Sequence, residues 1–263
     1  MSPSRSEELL EEMVRIAGRA GSAIMNVYGS DDFAVELKSD HSPVTRADKA
    51  AHKIIAEELA RISDYDIISE ESDNRIPTTD PYWLIDPLDG TKEFIKRNGE
   101  FTVNLALVRG KRPILGVVYA PALNVCYCGN VKKGEAFKIT GDKKAKIQAL
   151  RPAGRPKVVV SRSHINDQTQ ALVESVGDHD EVAMGSSLKL CLVAEGAASL
   201  YPRLGPTSLW DTAAADAVVT AAGGHVTNVT TGQDLEYDPW RTVINDAFVV
   251  ESADRKIPWK RPS

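Results

Sequence analysis

Residues 83–94 read WLIDPLDGTKEF, and this segment predicts a buried strand that turns sharply into a helix. Residues 82–85 are apolar and bulky, as strands in the core of a sheet usually are. Pro87 lacks an amide hydrogen and has a fixed φ, so we expect the strand to stop there. Thr91 is a good N-cap residue, so we expect the helix to begin directly after it.

Two carboxylates, Asp86 and Asp89, lie three positions apart in this turn. Gly90 allows a tight turn and a close approach to a ligand, and the N–H groups at a helix start favour anions. Carboxylates beside an anion site repel the anion unless a cation lies between them, and hard oxygen ligands favour Mg²⁺. An ordinary solvated turn is the alternative. We favour a metal–phosphate site because each residue type in the motif fits one part of it.

The composition is that of an ordinary globular chain, with 263 residues, 42% hydrophobic residues and a net charge of −5. This charge argues against binding to a nucleic acid polymer, which favours a basic face. No apolar run is long enough for a transmembrane segment or resembles a signal peptide. Three cysteines without zinc-ligand spacing fit a reducing compartment. We therefore expect a cytoplasmic protein, with peripheral attachment to the inner membrane as an alternative.

The residues before the motif predict further acids near it. Thr45 is expected to cap a helix in which Asp48 takes the third position, where an acid is common in capping boxes. Capping alone is therefore a good explanation for Asp48. Residues 66–71 predict a short buried strand ending at Glu70, which would meet the end of the next strand at one edge of the same sheet.

The two halves of the chain carry different patterns. Residues 101–139 predict an antiparallel meander, in which we expect Cys126 and Cys128 on opposite faces of a strand. Residues 141–156 are polar, Lys-rich and contain Pro and Gly, which predicts a boundary between domains 1–154 and 155–263. The second half alternates strands and helices, which predicts a mostly parallel sheet covered by helices.

A second acidic motif, WDTAA, occupies residues 210–214. Asp211 is an apt N-cap residue for the Ala-rich helix that follows, and capping alone could explain it. A carboxylate at this position could instead point away from the helix and bind a metal ion. The small alanines would let that helix pack tightly against a sheet.

Together these motifs resemble the inositol monophosphatase-like superfamily of Mg²⁺-dependent, lithium-sensitive phosphatases. DPLDGT at residues 86–91 is similar to the first signature of that family, and residues 210–224 are similar to the second. Residues 69–71 and 44–48 match its metal-binding glutamate and upstream aspartate. The resemblance covers essentially the whole chain. It implies an α/β and α+β architecture, a five-layer αβαβα sandwich of the inositol monophosphatase and fructose bisphosphatase type.

Within this superfamily the second half looks most like CysQ-type 3′(2′),5′-bisphosphate nucleotidases, on residues 161–164, 187–196 and 200–207. That resemblance implies hydrolysis of 3′-phosphoadenosine 5′-phosphate, a small nucleotide bisphosphate, to AMP and phosphate by a monomer or homodimer. In the family this reaction clears a by-product of sulfate activation. The alternatives are an inositol monophosphate or sugar bisphosphate phosphatase on the same site, and a homologue without catalysis. The last alternative predicts the loss of at least one metal ligand.

The resemblance also implies roles for single residues. Two Mg²⁺ ions, or three with Asp48, would be held by one set of oxygen ligands: Glu70, Asp86, the Leu88 carbonyl, Asp89 and Asp211. The scissile phosphate would be bound by Gly90 and Thr91. Thr91, oriented by Asp48, would hold the attacking water, and Glu70 would help to order it.

Nucleotide contacts are implied for His164, Gly185 and Lys189. Without the resemblance, His164 would be interpreted as a surface histidine and Lys189 as a solvated helix residue. No Cys–His pair or Ser–His–Asp set indicates a covalent nucleophile.

Overall fold

The computed structural model describes residues 1–30, 36–37, 43–73, 76–162, 166–257 and 259. The α-helices among them are α1 (Pro3–Tyr28), α2 (Arg46–Ile62), α3 (Thr91–Ile95), α4 (Asp167–Ser175), α5 (Leu188–Ala194) and α6 (Leu209–Ala221). None of the helices in these ranges is both long enough and apolar enough to cross a membrane. No feature of these residues supports peripheral membrane attachment, and the cytoplasmic location stays a prediction.

The larger sheet of the described residues has seven strands, which lie side by side in chain order. They are β3 (Ile67–Ser69), β4 (Tyr82–Asp89), β5 (Thr102–Arg109), β6 (Arg112–Ala120), β7 (Val125–Asn130), β8 (Glu135–Thr140) and β9 (Lys143–Ile147). Strands β3 and β4 are parallel, and every later pair is antiparallel, which agrees with the predicted meander. A separate two-stranded pair joins β1 (Glu36–Leu37) to β2 (Pro43–Val44).

The smaller sheet has the order β11-β10-β12-β14-β13. Its strands are β10 (Lys157–Ser161), β11 (Asp180–Met184), β12 (Leu200–Arg203), β13 (His225–Asn228) and β14 (Phe248–Glu251). The first three of these strands in the sheet are parallel, and the last two add antiparallel neighbours. The sheet is therefore mixed rather than mostly parallel.

Five layers pack around three apolar cores, and the middle core extends over both sides of the layer that α5 and α6 form. The outer core lies between α1, α2 and one face of the larger sheet, to which Trp83 and Ile85 belong. The middle core contains Tyr82 and Leu84 from the opposite face together with α5, α6 and the smaller sheet. A third core joins the smaller sheet to α4. Alternation along β4 thus sends neighbouring side chains to different cores, and the predicted αβαβα sandwich is confirmed.

The strand that carries the first acidic motif does not stop at Pro87 as predicted. Strand β4 continues to Asp89, with an irregular register between Asp86 and Asp89. The missing amide hydrogen of Pro87 is tolerated because it falls within this irregularity, where ladder bonds are interrupted. The helix start also differs, since Gly90 with φ 90° is the N-cap and Thr91 is the first helical residue.

One other local expectation is wrong. Cys126 and Cys128 both belong to the outer core, because residues two positions apart in a strand share a face. The polar segment 141–156 contains β9, whose first four residues are exposed at the edge of the larger sheet. Exposed lysines suit an edge strand because they discourage pairing with another chain. The division into domains 1–154 and 155–263 stays a prediction.

Helix α6 lies unusually close to the larger sheet because two glycines face it. A Cβ atom on Gly116 would lie 2.1 Å from the Ala214 carbonyl oxygen, and one on Gly129 would lie 2.8 Å from that of Ala217. Real Cβ atoms do not approach carbonyl oxygens so closely, so any side chain at these positions would push the helix away. This close packing fixes where α6 begins relative to the sheet.

We expect Gly116→Ala to destabilise the protein by about 1–3 kcal/mol, because overpacking must displace α6. The matched control is Gly18→Ala in α1, where an added Cβ meets no atom within 4 Å. Alanine inside a helix is preferred over glycine by about 0.5–1 kcal/mol, so this control should be neutral or stabilising. Urea unfolding midpoints measure both variants. Equal midpoints for the two variants would contradict the proposed tight packing of α6.

Candidate active site

A cavity of about 320 Å³ opens where β4 ends and where α3 and α6 begin. It is lined by Glu70, Asp86, Leu88, Asp89, Gly90, Thr91, Lys92, Glu93, Ser208, Trp210 and Asp211. All the residues predicted to hold two metal ions, Glu70, Asp86, Leu88, Asp89 and Asp211, therefore line one cavity, whereas Asp48 does not line it. The residues come from both halves of the chain, and α6 brings Asp211 to it.

The carboxylates of Asp86, Asp89 and Asp211 form the centre of this cavity. One oxygen from each lies within 4.8 Å of the corresponding oxygens of the other two. Two unit charges about 4 Å apart repel by roughly 4 kcal/mol at an effective dielectric constant near 20. Such a cluster takes up protons or binds cations.

Burial strengthens this preference for protons or cations at two of the acids, Asp86 and Asp211. Burial, followed by the charges of Glu70 and Asp89, raises the pKa of Asp86 well above its ordinary value. Burial, followed by the charge of Asp89, does the same to the pKa of Asp211. The ligand atoms on offer are carboxylate oxygens, the donor type preferred by hard divalent cations such as Mg²⁺ and Mn²⁺. The residues therefore fit a metal centre of this kind.

Backbone N–H groups hold each of these carboxylates in place. Asp86 Oδ1 accepts a hydrogen bond from the Leu88 amide at 3.0 Å. Asp211 Oδ2 accepts one from the Ser208 amide at 2.8 Å, because Asp211 is the third residue of α6 in a capping box with Ser208. The expectation that Asp211 is itself the N-cap is wrong. Its position in the box still leaves it able to face the cavity.

Asp48 and Thr91 form a second polar group next to the acids. The Thr45 amide and hydroxyl donate to Asp48 Oδ2 at 2.7 and 2.6 Å, which confirms the predicted capping box at the start of α2. The Thr91 hydroxyl lies 3.4 Å from Asp48 Oδ1 and 3.4 Å from the Leu88 carbonyl oxygen. Burial raises the pKa of Asp48 to about 6, although the hydrogen bonds from Thr45 lower it. The catalytic roles of these residues stay predictions.

Two of the predicted nucleotide contacts, Gly185 and Lys189, belong to the segment around Ser186, whose hydroxyl binds Asp89. The Gly185 amide donates to Glu100 Oε2 at 2.7 Å, and a Cβ atom on Gly185 would lie 3.0 Å from Glu93 Cγ. Lys189 is buried, and its ammonium group donates to the Ser186 carbonyl oxygen at 2.6 Å. The alternative of a solvated lysine is therefore wrong. Neither residue lines the cavity, and His164 lies outside the described residues.

Four polar residues near Asp89 were missed by the sequence analysis. They are Thr102, Asn104, Ser186 and Ser187, and all are buried. The available signal was the pattern T-V-N at residues 102–104, which places two polar side chains on one face of an otherwise apolar strand.

The sequence model of the inositol monophosphatase family matches residues 5–259, so the chain belongs to this family. Its members are metal-dependent phosphatases. The resemblance noted from the motifs is thereby confirmed. The chain is 48% identical over 247 residues to a protein from Salmonella typhimurium named 3′(2′),5′-bisphosphate nucleotidase CysQ. That similarity covers 92% of this chain and 99% of the relative.

Solved structures agree with this assignment. A crystal structure of CysQ from Bacteroides thetaiotaomicron superposes with a TM-score of 0.84 at 35% identity, covering 94% of this chain and 97% of the other. The IMPase of Thermotoga maritima superposes with a TM-score of 0.76 at 24% identity, covering 94% and 92%. The second likeness concerns the fold alone.

We expect Mg²⁺ to raise the melting temperature more at pH 8 than at pH 5. Without a cation, the raised pKa values of Asp86 and Asp211 mean that stability falls as pH rises above the ordinary range of a carboxyl group. Cation binding needs the ionised carboxylates, so protons compete with Mg²⁺ at low pH. Thermal scans with and without Mg²⁺ at both pH values measure the effect.

The control for this experiment is Asp211→Asn, in which one carboxylate charge is removed. Its Mg²⁺-induced increase in melting temperature should be smaller at pH 8 than that of the unmodified protein. An increase that is the same at both pH values would contradict a cation site built from these acids.

Proposed function

We propose that this protein is a Mg²⁺-dependent 3′(2′),5′-bisphosphate nucleotidase. It hydrolyses 3′-phosphoadenosine 5′-phosphate with one water molecule, and the products are AMP and phosphate. The observation that carries the proposal is the group of Asp86, Asp89 and Asp211 oxygens within 4.8 Å in one cavity. The 48% identity to a protein named for this activity, over nearly its whole length, supports the substrate class.

The ligands proposed for two metal ions all line the cavity. Two ions would be held by Glu70, Asp86, the Leu88 carbonyl oxygen, Asp89 and Asp211, and a third would involve Asp48. When bound, such ions lower the pKa of coordinated water and neutralise phosphoryl oxygens. All four acids of this set are present, which argues against a homologue without catalysis.

Thr91 and Asp48 are proposed to hold and orient the attacking water. The Thr91 hydroxyl can direct its hydrogen to Asp48 Oδ1 or to the Leu88 carbonyl oxygen, each 3.4 Å away. Its lone pairs then remain able to accept a hydrogen from water. A pKa of about 6 keeps Asp48 mostly ionised at neutral pH, so it can accept hydrogen bonds there. Glu70, which also lines the cavity, would help to order the same water.

Gly90 and Thr91 would bind the scissile phosphate at the wall of the cavity. The positive φ of Gly90 lets the chain turn between Asp89 and α3, and a Cβ atom there would lie 3.1 Å from the Glu100 carbonyl oxygen. A glycine is therefore suited to this turn.

The nucleotide itself would contact His164, Gly185 and Lys189. Burial lowers the pKa of Lys189 below its ordinary value, although the charge of Asp89 opposes this shift. Its side-chain nitrogen donates to the Ser186 carbonyl oxygen, which places it beside the turn that binds Asp89. An inositol monophosphate or sugar bisphosphate phosphatase is the second candidate, because the chain belongs to the inositol monophosphatase family. A monomer or homodimer, a cytoplasmic location, a role in sulfur metabolism and lithium sensitivity belong to the same proposal.

Phosphate release from a small substrate panel tests the substrate class. We expect Mg²⁺-dependent release from 3′-phosphoadenosine 5′-phosphate with a kcat/KM at least about tenfold above that for inositol 1-phosphate or fructose 1,6-bisphosphate. A pocket that is built to hydrogen-bond one group of its substrate discriminates against a compound that lacks this group by about this factor or more. A ratio near one, or an inverted ratio, would reject the nucleotide in favour of the second candidate.

Asp89→Asn tests the metal chemistry. Losing a residue that only holds a metal ligand in place typically costs up to about 100-fold in activity. Asp89 is proposed to be a ligand itself, so we expect this variant to lower Mg²⁺-dependent turnover by more than about 100-fold. The fold should remain, as judged by circular dichroism. The matched control is Asp142→Asn, an exposed turn residue that should retain full activity. Substantial activity in Asp89→Asn would count against the proposed role of this carboxylate.

A further inference from the structure

A buried group of polar side chains lies directly behind Asp89, on the side away from solvent. Thr102 and Asn104 come from β5, and both have 0% exposure. Ser186 and Ser187 come from the turn before α5, with 8% and 2% exposure. This group, Thr102, Asn104, Ser186 and Ser187, is called the Asp89 support below. It joins the larger sheet to the second half of the chain.

Sheet register explains why the support lies there. Asp89 is the cross-strand partner of Thr102, and Asp86 is the partner of Asn104. Two residues therefore separate Asp86 from Asp89 on β4, while a single residue separates their partners on β5. The register irregularity absorbs this difference and turns the Asp89 carboxylate toward the turn before α5.

One oxygen of Asp89 is fixed by two donors. The Ser186 hydroxyl donates to Asp89 Oδ2 at 2.5 Å, and the Ser187 amide donates to the same oxygen at 2.7 Å. An ionised carboxylate only accepts hydrogen bonds, so the single hydroxyl hydrogen of Ser186 is committed to Asp89. Fixing one oxygen in this way sets the plane of the carboxylate and the direction of its other oxygen.

Thr102 is the member of the support that contacts both serines. Its hydroxyl oxygen lies 2.6 Å from the Ser186 oxygen and 2.8 Å from the Ser187 oxygen. Because the Ser186 hydrogen points to Asp89, the contact between Thr102 and Ser186 requires Thr102 to donate. The single hydrogen of Thr102 has a second acceptor in Asn104 Oδ1 at 3.0 Å, and the shorter distance of 2.6 Å favours Ser186. A donor–acceptor chain thus runs from Thr102 through Ser186 to Asp89, and each bond in such a chain polarises the next.

Asn104 holds the remaining serine. The Ser187 hydroxyl donates to Asn104 Oδ1 at 2.8 Å, which keeps the Ser187 backbone beside Asp89. The turn itself is strained, since Ser186 has φ 53° in the left-handed region that serine seldom adopts. Lys189 stabilises that turn by donating to the Ser186 carbonyl oxygen at 2.6 Å. The backbone conformation is therefore specific to presenting both donors to Asp89.

We propose that Thr102 is a positioning residue of the metal centre, which acts through Ser186 to orient the Asp89 carboxylate. The inference rests on the proposed function, because it assumes that Asp89 is a metal ligand. It adds that cation affinity depends on a hydroxyl that does not line the cavity. Partners of metal ligands commonly contribute about 10–100-fold to metal affinity or activity.

A purely structural role for Thr102 predicts a different result. Valine has nearly the same shape as threonine, so it would fill the same space in the sheet without donating a hydrogen bond. Thr102→Val would then alter stability and leave cation affinity unchanged. Cation affinity measured without substrate therefore separates the two roles.

The experiment measures binding of Mg²⁺ alone by isothermal titration calorimetry, with urea unfolding as a second readout. We expect Thr102→Val to bind Mg²⁺ at least about tenfold more weakly, and Thr102→Ser to stay within about twofold of the unmodified protein. The matched control is Thr227→Val on β13, because the Thr227 hydroxyl is buried without a hydrogen-bond partner among the described residues. This control should bind Mg²⁺ unchanged.

Unaltered Mg²⁺ affinity in folded Thr102→Val would overturn the inference. If Thr102→Val does not fold, Ser186→Ala decides instead, since it removes the direct donor to Asp89 and should also weaken Mg²⁺ binding by about tenfold or more. Unaltered affinity in Ser186→Ala would then overturn the inference. A failure of the proposed function gives another result: the unmodified protein itself would bind no Mg²⁺, which would overturn both proposals together.

Discussion

Repulsion among clustered carboxylates is the constraint on which the site of this protein depends. Asp86, Asp89 and Asp211 are held close together, although burial and neighbouring charges raise the pKa values of Asp86 and Asp211. Elements from both halves of the chain must therefore be fixed firmly enough to withstand that repulsion. Backbone amides bound to each acid, and a helix packed tightly on a sheet, supply this rigidity. A hard divalent cation neutralises the repulsion among the carboxylates, so cation binding stabilises the folded protein.

The layered fold explains how distant parts of the chain reach one cavity. The acids on β4 and Asp211 on α6 are more than a hundred residues apart in sequence, yet α6 lies in the middle layer against the same sheet. Glycines on β6 and β7 bring the helix close enough for its first turn to meet the end of β4. The proposed chemistry thus depends on the absence of side chains at positions far from the acids.

Local signals in the sequence predicted the site better than they predicted its supports. The Thr45–Asp48 capping box follows from a pattern four residues long, and the two acidic motifs predicted the clustered carboxylates. The prediction that β4 ends at Pro87 was wrong, because the effect of this proline depends on a register irregularity between β4 and its neighbouring strand. The donors to Asp89 were missed because Ser186 and Ser187 lie about a hundred residues after it in the chain. The burial of Lys189 could not be predicted either, because tertiary contacts decide its environment.

The position of α6 also affects how the chain can assemble during synthesis. Strands β4 to β7 leave the ribosome well before residue 221, where α6 ends. Until then, the inner face of the larger sheet lacks the helix that covers it, and the first acids lack their partner across the cavity. The nascent first half consequently exposes apolar surface for the time needed to make about ninety more residues, at roughly 5–20 residues per second. Until α6 covers it, that apolar surface is open to aggregation.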